Sequence, residues 1–209
     1  MIRATTTAVT AVAAGRRCFV APTIDAAVAL AAEIEGALLV GEVGGHMPYG
    51  FDLTNSPVAV GEPMQDRRPL VLVSSSGTPL IAEAETARRA YVGSLRGCSA
   101  LVDHLTGSPD PVAIVGAGTR GEFRVEDELC CAWIAGGMLD RGFAPADNRT
   151  AEIVARRRGD PVDVIRTSAS AEYLRRTGQL HDLEFVLTHV DDLAGVYGVE
   201  GGEVVEVKA

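Results

Sequence analysis

The chain has 209 residues, 47% of them hydrophobic, and a formal net charge of −9. This length suits one large domain or two lobes, and the hydrophobic share is enough for a buried core. The negative charge and the dispersed basic residues argue against nucleic acid as a partner. Because the only lysine is Lys208, a lysine-dependent phosphate loop or Schiff base is not expected. No apolar run reaches the roughly 18 residues of a membrane helix, so we expect a cytoplasmic protein without membrane contact.

The cysteines and histidines lack the spacing of a catalytic or zinc motif. The four cysteines have no Cys-x-x-Cys spacing, and we interpret them as buried thiols in a reducing compartment. The four histidines show neither a His-x-His nor a His-Glu-x-x-His pattern, which argues against zinc. A Gly-x-Ser-x-Gly elbow is absent as well. The remaining chemistry is that of carboxylates, arginines and backbone-rich turns.

Apolar runs alternate with helical patterns along the first half of the chain. The predicted strands cover residues 18–21, 37–42, 69–74 and 89–94. The predicted helices cover residues 5–14, 23–35 and 95–105, and Gly15 closes the first of them. Such alternation is typical of a parallel sheet covered by helices.

The second half is predicted to be mainly helical. Residues 106–111 have the composition of a linker, and this predicts two lobes, residues 1–108 and 109–209. Predicted elements of the second half are a strand over residues 112–115 and helices over 125–139, 148–158, 161–177 and 181–189. Residues 204–207 are predicted to form either a last strand or a frayed tail. The expected fold class is α/β: a layered α/β/α arrangement with a mostly parallel sheet, or two lobes with the site between them.

Residues 116–121 match the Gly-x-Gly-x-x-Gly pattern of dinucleotide-binding folds. Three features argue against that interpretation: the helix does not begin directly after Gly121, few residues remain for a nucleotide fold, and Asp140 follows a helical segment instead of a strand. A nucleotide-dependent oxidoreductase therefore stands only as a third hypothesis.

The most informative stretch is residues 41–57, where a predicted buried strand ends in an acid and breaks into glycines. It contains Glu42, a Gly-Phe-Asp triplet ending at Asp52, and an Asn-Ser-Pro triplet beginning at Asn55. Polar groups at the carboxyl ends of strands are where open α/β sheets bind ligands. The alternative is an ordinary strand followed by a surface loop.

Two other segments have the composition of anion sites. Arg3, Thr5 and Thr6 lie at the start of the first predicted helix, where free backbone N–H groups, hydroxyls and a guanidinium meet. A hydroxyl-rich turn joins a predicted strand to a helix and contains Ser75, Ser76, Gly77 and Thr78. In each case the alternative is local: a helix cap in the first segment and a plain turn in the second.

Glu126 and Asp127 begin a predicted helix directly after an arginine-containing glycine loop. Acids in a first helical turn commonly serve the helix dipole, but this placement also suits a metal with a phosphate. Hard oxygen ligands favour Mg²⁺, which is normally held by one or two carboxylates together with substrate phosphate.

Several motifs follow one another in an order that carries a family resemblance. They are Arg3-Ala4-Thr5-Thr6-Thr7, Gly41-Glu42 with Gly45, Gly50-Phe51-Asp52-Leu53 with Asn55-Ser56-Pro57, Gly77-Thr78, Gly93-Ser94-Leu95, and Ala117-Gly118-Thr119 with Gly121, Phe123, Glu126 and Asp127. Together they resemble the 2-phosphosulfolactate phosphatase family over the first two-thirds of the chain. The resemblance implies a Mg²⁺-dependent phosphatase that converts 2-phosphosulfolactate to sulfolactate in coenzyme M biosynthesis.

We therefore expect a small phosphorylated anion as the substrate and a homodimer as the assembly. The expected catalytic residues are Glu42, Asp52, Arg120 and Asp127, and the expected metal ligands are Glu42, Asp52, Glu126 and Asp127. The expected substrate-binding residues are Arg3, Thr5, Thr6, Asn55, Ser75, Ser76, Gly77, Thr78 and Gly118. This sequence lacks the strand and aspartate that the family has before its Arg-Ala-Thr run, so the alternative is a catalytically impaired member that binds a phosphorylated or sulfonated metabolite.

Overall fold

The computed structural model describes residues 2–61, 67–119 and 121–208. These residues form two compact units: an α/β unit of residues 3–92 and 195–208, and a helical unit of residues 93–194 with Ile2. The two units do not coincide with the predicted lobes 1–108 and 109–209. Residues 93–108 group with the helices that follow them, and the C-terminal strands join the α/β unit.

The α/β unit contains a five-stranded mixed sheet. Its strands are β1 (Cys18–Val20), β2 (Leu38–Gly41), β3 (Leu70–Val73), β4 (Val196–Glu200) and β5 (Glu203–Val207), in the order β2-β3-β1-β5-β4. β1, β2 and β3 are parallel, whereas β5 pairs antiparallel with β1 and with β4. The predicted α/β class with a mostly parallel core is confirmed.

Helices cover the sheet of the α/β unit. They are α1 (Ala4–Ala13), α2 (Ile24–Glu33), α3 (Pro57–Gly61) and α4 (Gly77–Ala84). α2 begins where the Thr23 hydroxyl accepts a hydrogen bond from the backbone of Ala26, and it packs on Phe19 and Val71. The strand residues that alternate with these, such as Leu72, are also buried. α1 contacts β1, β3 and β5. The layered arrangement follows from this burial of successive strand residues.

Short segments pair with both outer strands of the sheet. The Val92 N–H donates to the Tyr197 carbonyl of β4 (2.8 Å), and the Asp52 N–H donates to the Leu39 carbonyl of β2 (2.9 Å). The predicted strand over residues 89–94 is wrong as a regular strand, because these residues contribute an isolated bridge at Tyr91. Such pairing protects sheet edges from association with other chains.

The helical unit contains α5 (Cys98–Leu105), α6 (Val125–Asp140), α7 (Asn148–Arg157), α8 (Ala169–Arg176) and α9 (Leu180–Thr188). α6 packs against α5 and α7. The helix predicted over residues 161–177 is divided at Ser168, whose backbone is extended and whose hydroxyl caps α8. The strand predicted over residues 112–115 is wrong, since these residues form no regular element. Within the described part of the chain, no helix is long and apolar enough to cross a membrane.

We expect the helical unit to lose stability as the pH falls below about 4. Burial is the largest single influence on the pKa of Asp192 and acts to raise it. Two hydrogen bonds from Arg96 (2.9 and 2.6 Å), nearby positive charge and a backbone hydrogen bond together outweigh burial, so the pKa is lowered. The backbone N–H of Thr150 lowers the pKa of Asp147. A carboxyl with a lowered folded pKa stabilises the protein above its unfolded value of about 3.9, and this contribution is lost as the pH falls through the folded value.

Thermal unfolding at about pH 6 and about pH 3 measures this effect. Asp192→Asn should reduce the difference in Tm between the two pH values, because the substituted side chain no longer changes its charge. An unchanged difference would show that Asp192 does not contribute to the acid sensitivity.

Candidate functional site

Glu42 follows β2 at the carboxyl end of the parallel strands. Its Oε1 accepts a hydrogen bond from the Ser75 N–H (2.8 Å), and its Oε2 accepts from the Gly45 N–H (2.7 Å) and the Ser75 hydroxyl (2.9 Å). Ser75 Oγ in turn accepts from the Gly44 N–H (2.8 Å). Glu42 therefore joins the loop after β2 to the turn after β3.

Asp52 lies beside the middle of β2 and is exposed. Its Oδ2 accepts a hydrogen bond from the Leu39 N–H (2.8 Å), a donor on the outer edge of the sheet. This bond would be kept by an asparagine, because the amide oxygen also accepts. The carboxylate of Asp52 thus has a structural contact, and its role as a metal ligand stays a prediction.

The start of α1 gathers buried polar groups, and three of their atoms lack a hydrogen-bond partner among the described residues. Arg3 precedes the helix and is 5% exposed, and the Thr7 hydroxyl donates to the backbone carbonyl of Asn55 (2.7 Å). The hydroxyl oxygens of Thr5 and Thr6 and the amide oxygen of Asn55 are buried without a partner among the described residues. Buried polar atoms are nearly always bonded to protein or to an ordered water or ion, so this region has unused capacity for a polar ligand.

The turn after β3 packs tightly against the same end of α1. A Cβ on Gly77, the first residue of α4, would lie 2.6 Å from the Cβ of Ala4, the first residue of α1. The N-termini of two helices therefore lie side by side, which is a favourable place for an anion. Ser76 precedes α4 and makes no side-chain cap, whereas the Thr78 hydroxyl bonds with the backbone of Ser74 and holds the turn.

Two buried acids begin α6 in the helical unit. Glu126 is 2% exposed and its Oε2 has no hydrogen-bond partner among the described residues. Asp127 is 5% exposed and its Oδ2 accepts a hydrogen bond from the Gly118 N–H (2.8 Å). The loop turns back at Gly118, where φ is +59° and a Cβ would lie 2.6 Å from the Glu122 carbonyl oxygen. Arg120, a predicted catalytic residue, lies outside the described residues.

The Gly-x-Gly-x-x-Gly pattern lacks the context of a dinucleotide site. Residues 112–115 do not form the required strand, and the helix begins at Val125 instead of directly after Gly121. The backbone of Thr119 instead pairs with that of Glu122 before the helix begins. The geometry therefore does not support the oxidoreductase hypothesis.

Among the described residues, no group of three or more His, Cys, Asp or Glu side chains is placed to hold a metal ion. A pair of carboxylates is nevertheless sufficient for Mg²⁺, which keeps several waters and commonly takes a substrate phosphate. The buried oxygen of Glu126 that has no partner among these residues suits a ligand of such an ion, and Asp127 follows Glu126 in the sequence.

Arg124, which was not among the predicted site residues, precedes α6 and lies two positions before Glu126. Its Nε is buried without a hydrogen-bond partner among the described residues. The signal available in the sequence was an arginine next to an acidic first turn. A guanidinium there suits a phosphate oxygen.

Comparison with known proteins gives a consistent result. A family profile described as 2-phosphosulpholactate phosphatase matches residues 1–197. A probable 2-phosphosulfolactate phosphatase of Deinococcus radiodurans is 34% identical over 88% of this chain and 79% of its own length. A protein with the same description from Clostridium acetobutylicum is 34% identical over 68% of this chain and 61% of its own length. Another, from Carboxydothermus hydrogenoformans, is 30% identical over 88% of this chain and 78% of its own length.

Proposed function

The chain belongs to the 2-phosphosulfolactate phosphatase family, and from this premise we propose that it hydrolyses 2-phosphosulfolactate to sulfolactate and phosphate in a Mg²⁺-dependent reaction. The family is one of phosphoric monoester hydrolases. The observation that carries the Mg²⁺ proposal is the pair of buried acids at the start of α6, because one oxygen of Glu126 has no hydrogen-bond partner in the described part of the chain. The substrate proposal rests on the family.

The α/β unit supplies donors for an anion. α1 and α4 begin next to each other, so the free backbone N–H groups and the positive ends of both helix dipoles lie close together. Thr5, Thr6 and Asn55 add polar atoms that have no hydrogen-bond partner among the described residues. We assign the binding of a phosphate or sulfonate group to this region, because both groups carry several acceptor oxygens.

For Mg²⁺ we propose Glu126 and Asp127 of the helical unit as ligands. The ion would lower the pKa of a coordinated water. The Gly118 N–H holds Asp127 in position through its bond to Oδ2. In the overall reaction, water adds to phosphorus, the ester P–O bond breaks, and the alcohol oxygen leaves with a proton. Glu42, Asp52 and Arg120 stay proposed as further catalytic groups.

Phosphate release from 2-phosphosulfolactate, with 2-phospholactate as the comparison substrate, tests the function. We expect release in the presence of Mg²⁺ and its loss in EDTA. Full activity in EDTA would exclude the metal role. Failure to release phosphate, combined with a rise in Tm on addition of the substrate, would instead support the alternative of an impaired family member that only binds its ligand.

Asp52→Asn is expected to lower kcat by at least about 100-fold with little change in Tm. The asparagine keeps an oxygen that accepts from the Leu39 N–H, so the sheet edge is preserved while the negative charge is lost. Steady-state kinetics and thermal unfolding are measured on the same preparation. A near-normal kcat would restrict Asp52 to its structural contact.

A further inference from the structure

Two cysteines of the helical unit lie against each other. Cys98 is the first residue of α5 and Cys130 lies in the second turn of α6, and these helices pack together. The two side chains are 4% and 5% exposed, and their sulfur atoms are 3.9 Å apart. The Cys98 thiol also donates to the Ser94 carbonyl at 3.2 Å. Both cysteines are free thiols in this structure.

We propose that Cys98 and Cys130 are a redox-active pair that a small disulfide oxidant converts to a disulfide between α5 and α6. The sulfur atoms would have to approach from 3.9 Å to about 2 Å. Cys98 stands at the first position of its helix, directly after a short 3₁₀ turn (Leu95–Gly97). At a helix start the backbone has fewer hydrogen bonds to break than in a helix interior, so this end of the pair can adjust.

Access to the pair is from the side of Cys98. Its side chain lines a cleft of about 270 Å³, together with Ser99, Val102 and Trp133, whereas Cys130 does not line it. The Cys98 thiolate would therefore attack the small disulfide, form a mixed disulfide and release one thiolate. The Cys130 thiolate would then displace the second thiolate. Two protein thiols lose two protons and two electrons, and the small disulfide is reduced to two thiols.

The other two cysteines are placed differently. Cys131 follows Cys130 in the sequence, but its sulfur atom lies near Gly116. A Cβ added to this glycine would be 3.6 Å from the sulfur. Burial raises the pKa of the Cys131 thiol to about 12, and contact with Cys98 together with burial also raises the pKa of the Cys130 thiol, so position and not acidity separates these two cysteines. Cys18 belongs to the α/β unit, and burial likewise raises its pKa to about 12. Of the four cysteines, Cys98 and Cys130 are the two whose sulfur atoms lie against each other.

The whole protein is incubated with oxidised glutathione, then unfolded, alkylated and mapped by mass spectrometry. We expect free thiols to fall from four to two, with one linkage between Cys98 and Cys130 that dithiothreitol reverses. Because a disulfide restricts the unfolded chain, the oxidised protein should also unfold at a Tm several degrees higher. Four remaining thiols, or a linkage through Cys18 or Cys131, would overturn the proposal.

Two serine variants separate the members of the pair. Cys131→Ser should still form the Cys98–Cys130 disulfide at the wild-type rate. Cys130→Ser should instead accumulate a mixed disulfide with glutathione on Cys98, because the second thiol is missing. Formation of an intramolecular disulfide in Cys130→Ser would contradict the assignment. The wild-type mapping decides the proposal even if either variant folds poorly.

Discussion

Glu126→Gln is expected to reduce Mg²⁺-dependent phosphate release by at least about 100-fold while the protein remains folded. Glu126 is 2% exposed, and among residues 2–61, 67–119 and 121–208 its Oε2 has no hydrogen-bond partner that the substitution would lose. Glutamine has nearly the same shape but carries no charge, so it binds Mg²⁺ poorly. The Tm without Mg²⁺ should therefore stay close to that of the wild-type protein.

The second measurement on this variant does not depend on turnover. An ion that binds the folded protein raises Tm, and we expect Mg²⁺ to raise the Tm of the wild-type protein but not that of Glu126→Gln. Asp140→Asn is the matched control, because Asp140 ends the same helix, is exposed and pairs with Arg158 at the surface. This control should keep both its activity and its response to Mg²⁺. A normal Mg²⁺ response in Glu126→Gln would remove Glu126 from the metal site.

Gly41→Ala is expected to destabilise the protein by about 3 kcal/mol or more. Gly41 ends β2 with φ at +153°, a conformation that other residues rarely adopt, and an added Cβ would overlap the Val73 carbonyl oxygen. The same Cβ would lie 2.9 Å from the Val73 carbonyl carbon, which belongs to the backbone of β3 and cannot move aside cheaply. Relief of the overlap requires β2 and β3 to separate where Glu42 begins the candidate site.

Urea unfolding of Gly41→Ala measures the loss, and Tm should fall by on the order of 10 °C. Gly44→Ala is the control from the same loop. Its φ of +63° also favours glycine, but an added Cβ there would meet nothing within 4 Å, so the expected loss is only about 1 kcal/mol. Equal losses in the two variants would show that backbone conformation, and not the contact with β3, determines the cost.

The local elements were largely predictable because their causes lie within a few residues. Apolar runs predicted β1, β2 and β3, and Gly15, with φ at +78°, follows α1 as expected. The apolar run over residues 112–115 wrongly predicted a strand, because a strand also requires a neighbouring strand to pair with and these residues do not belong to the sheet. β4 was missed, although Gly201 and Gly202 mark the turn that joins it to β5.

The sequence alone determined the types of residue available to the candidate site: carboxylates, hydroxyls, arginines and glycines in the order typical of one phosphatase family. Only the tertiary structure decided how they are used. Glu42 meets Ser75 across 33 positions, and the starts of α1 and α4 meet at Ala4 and Gly77. Whether a buried oxygen such as that of Glu126 accepts a hydrogen bond depends on packing between elements that are distant in the chain. A local sequence pattern does not predict that packing.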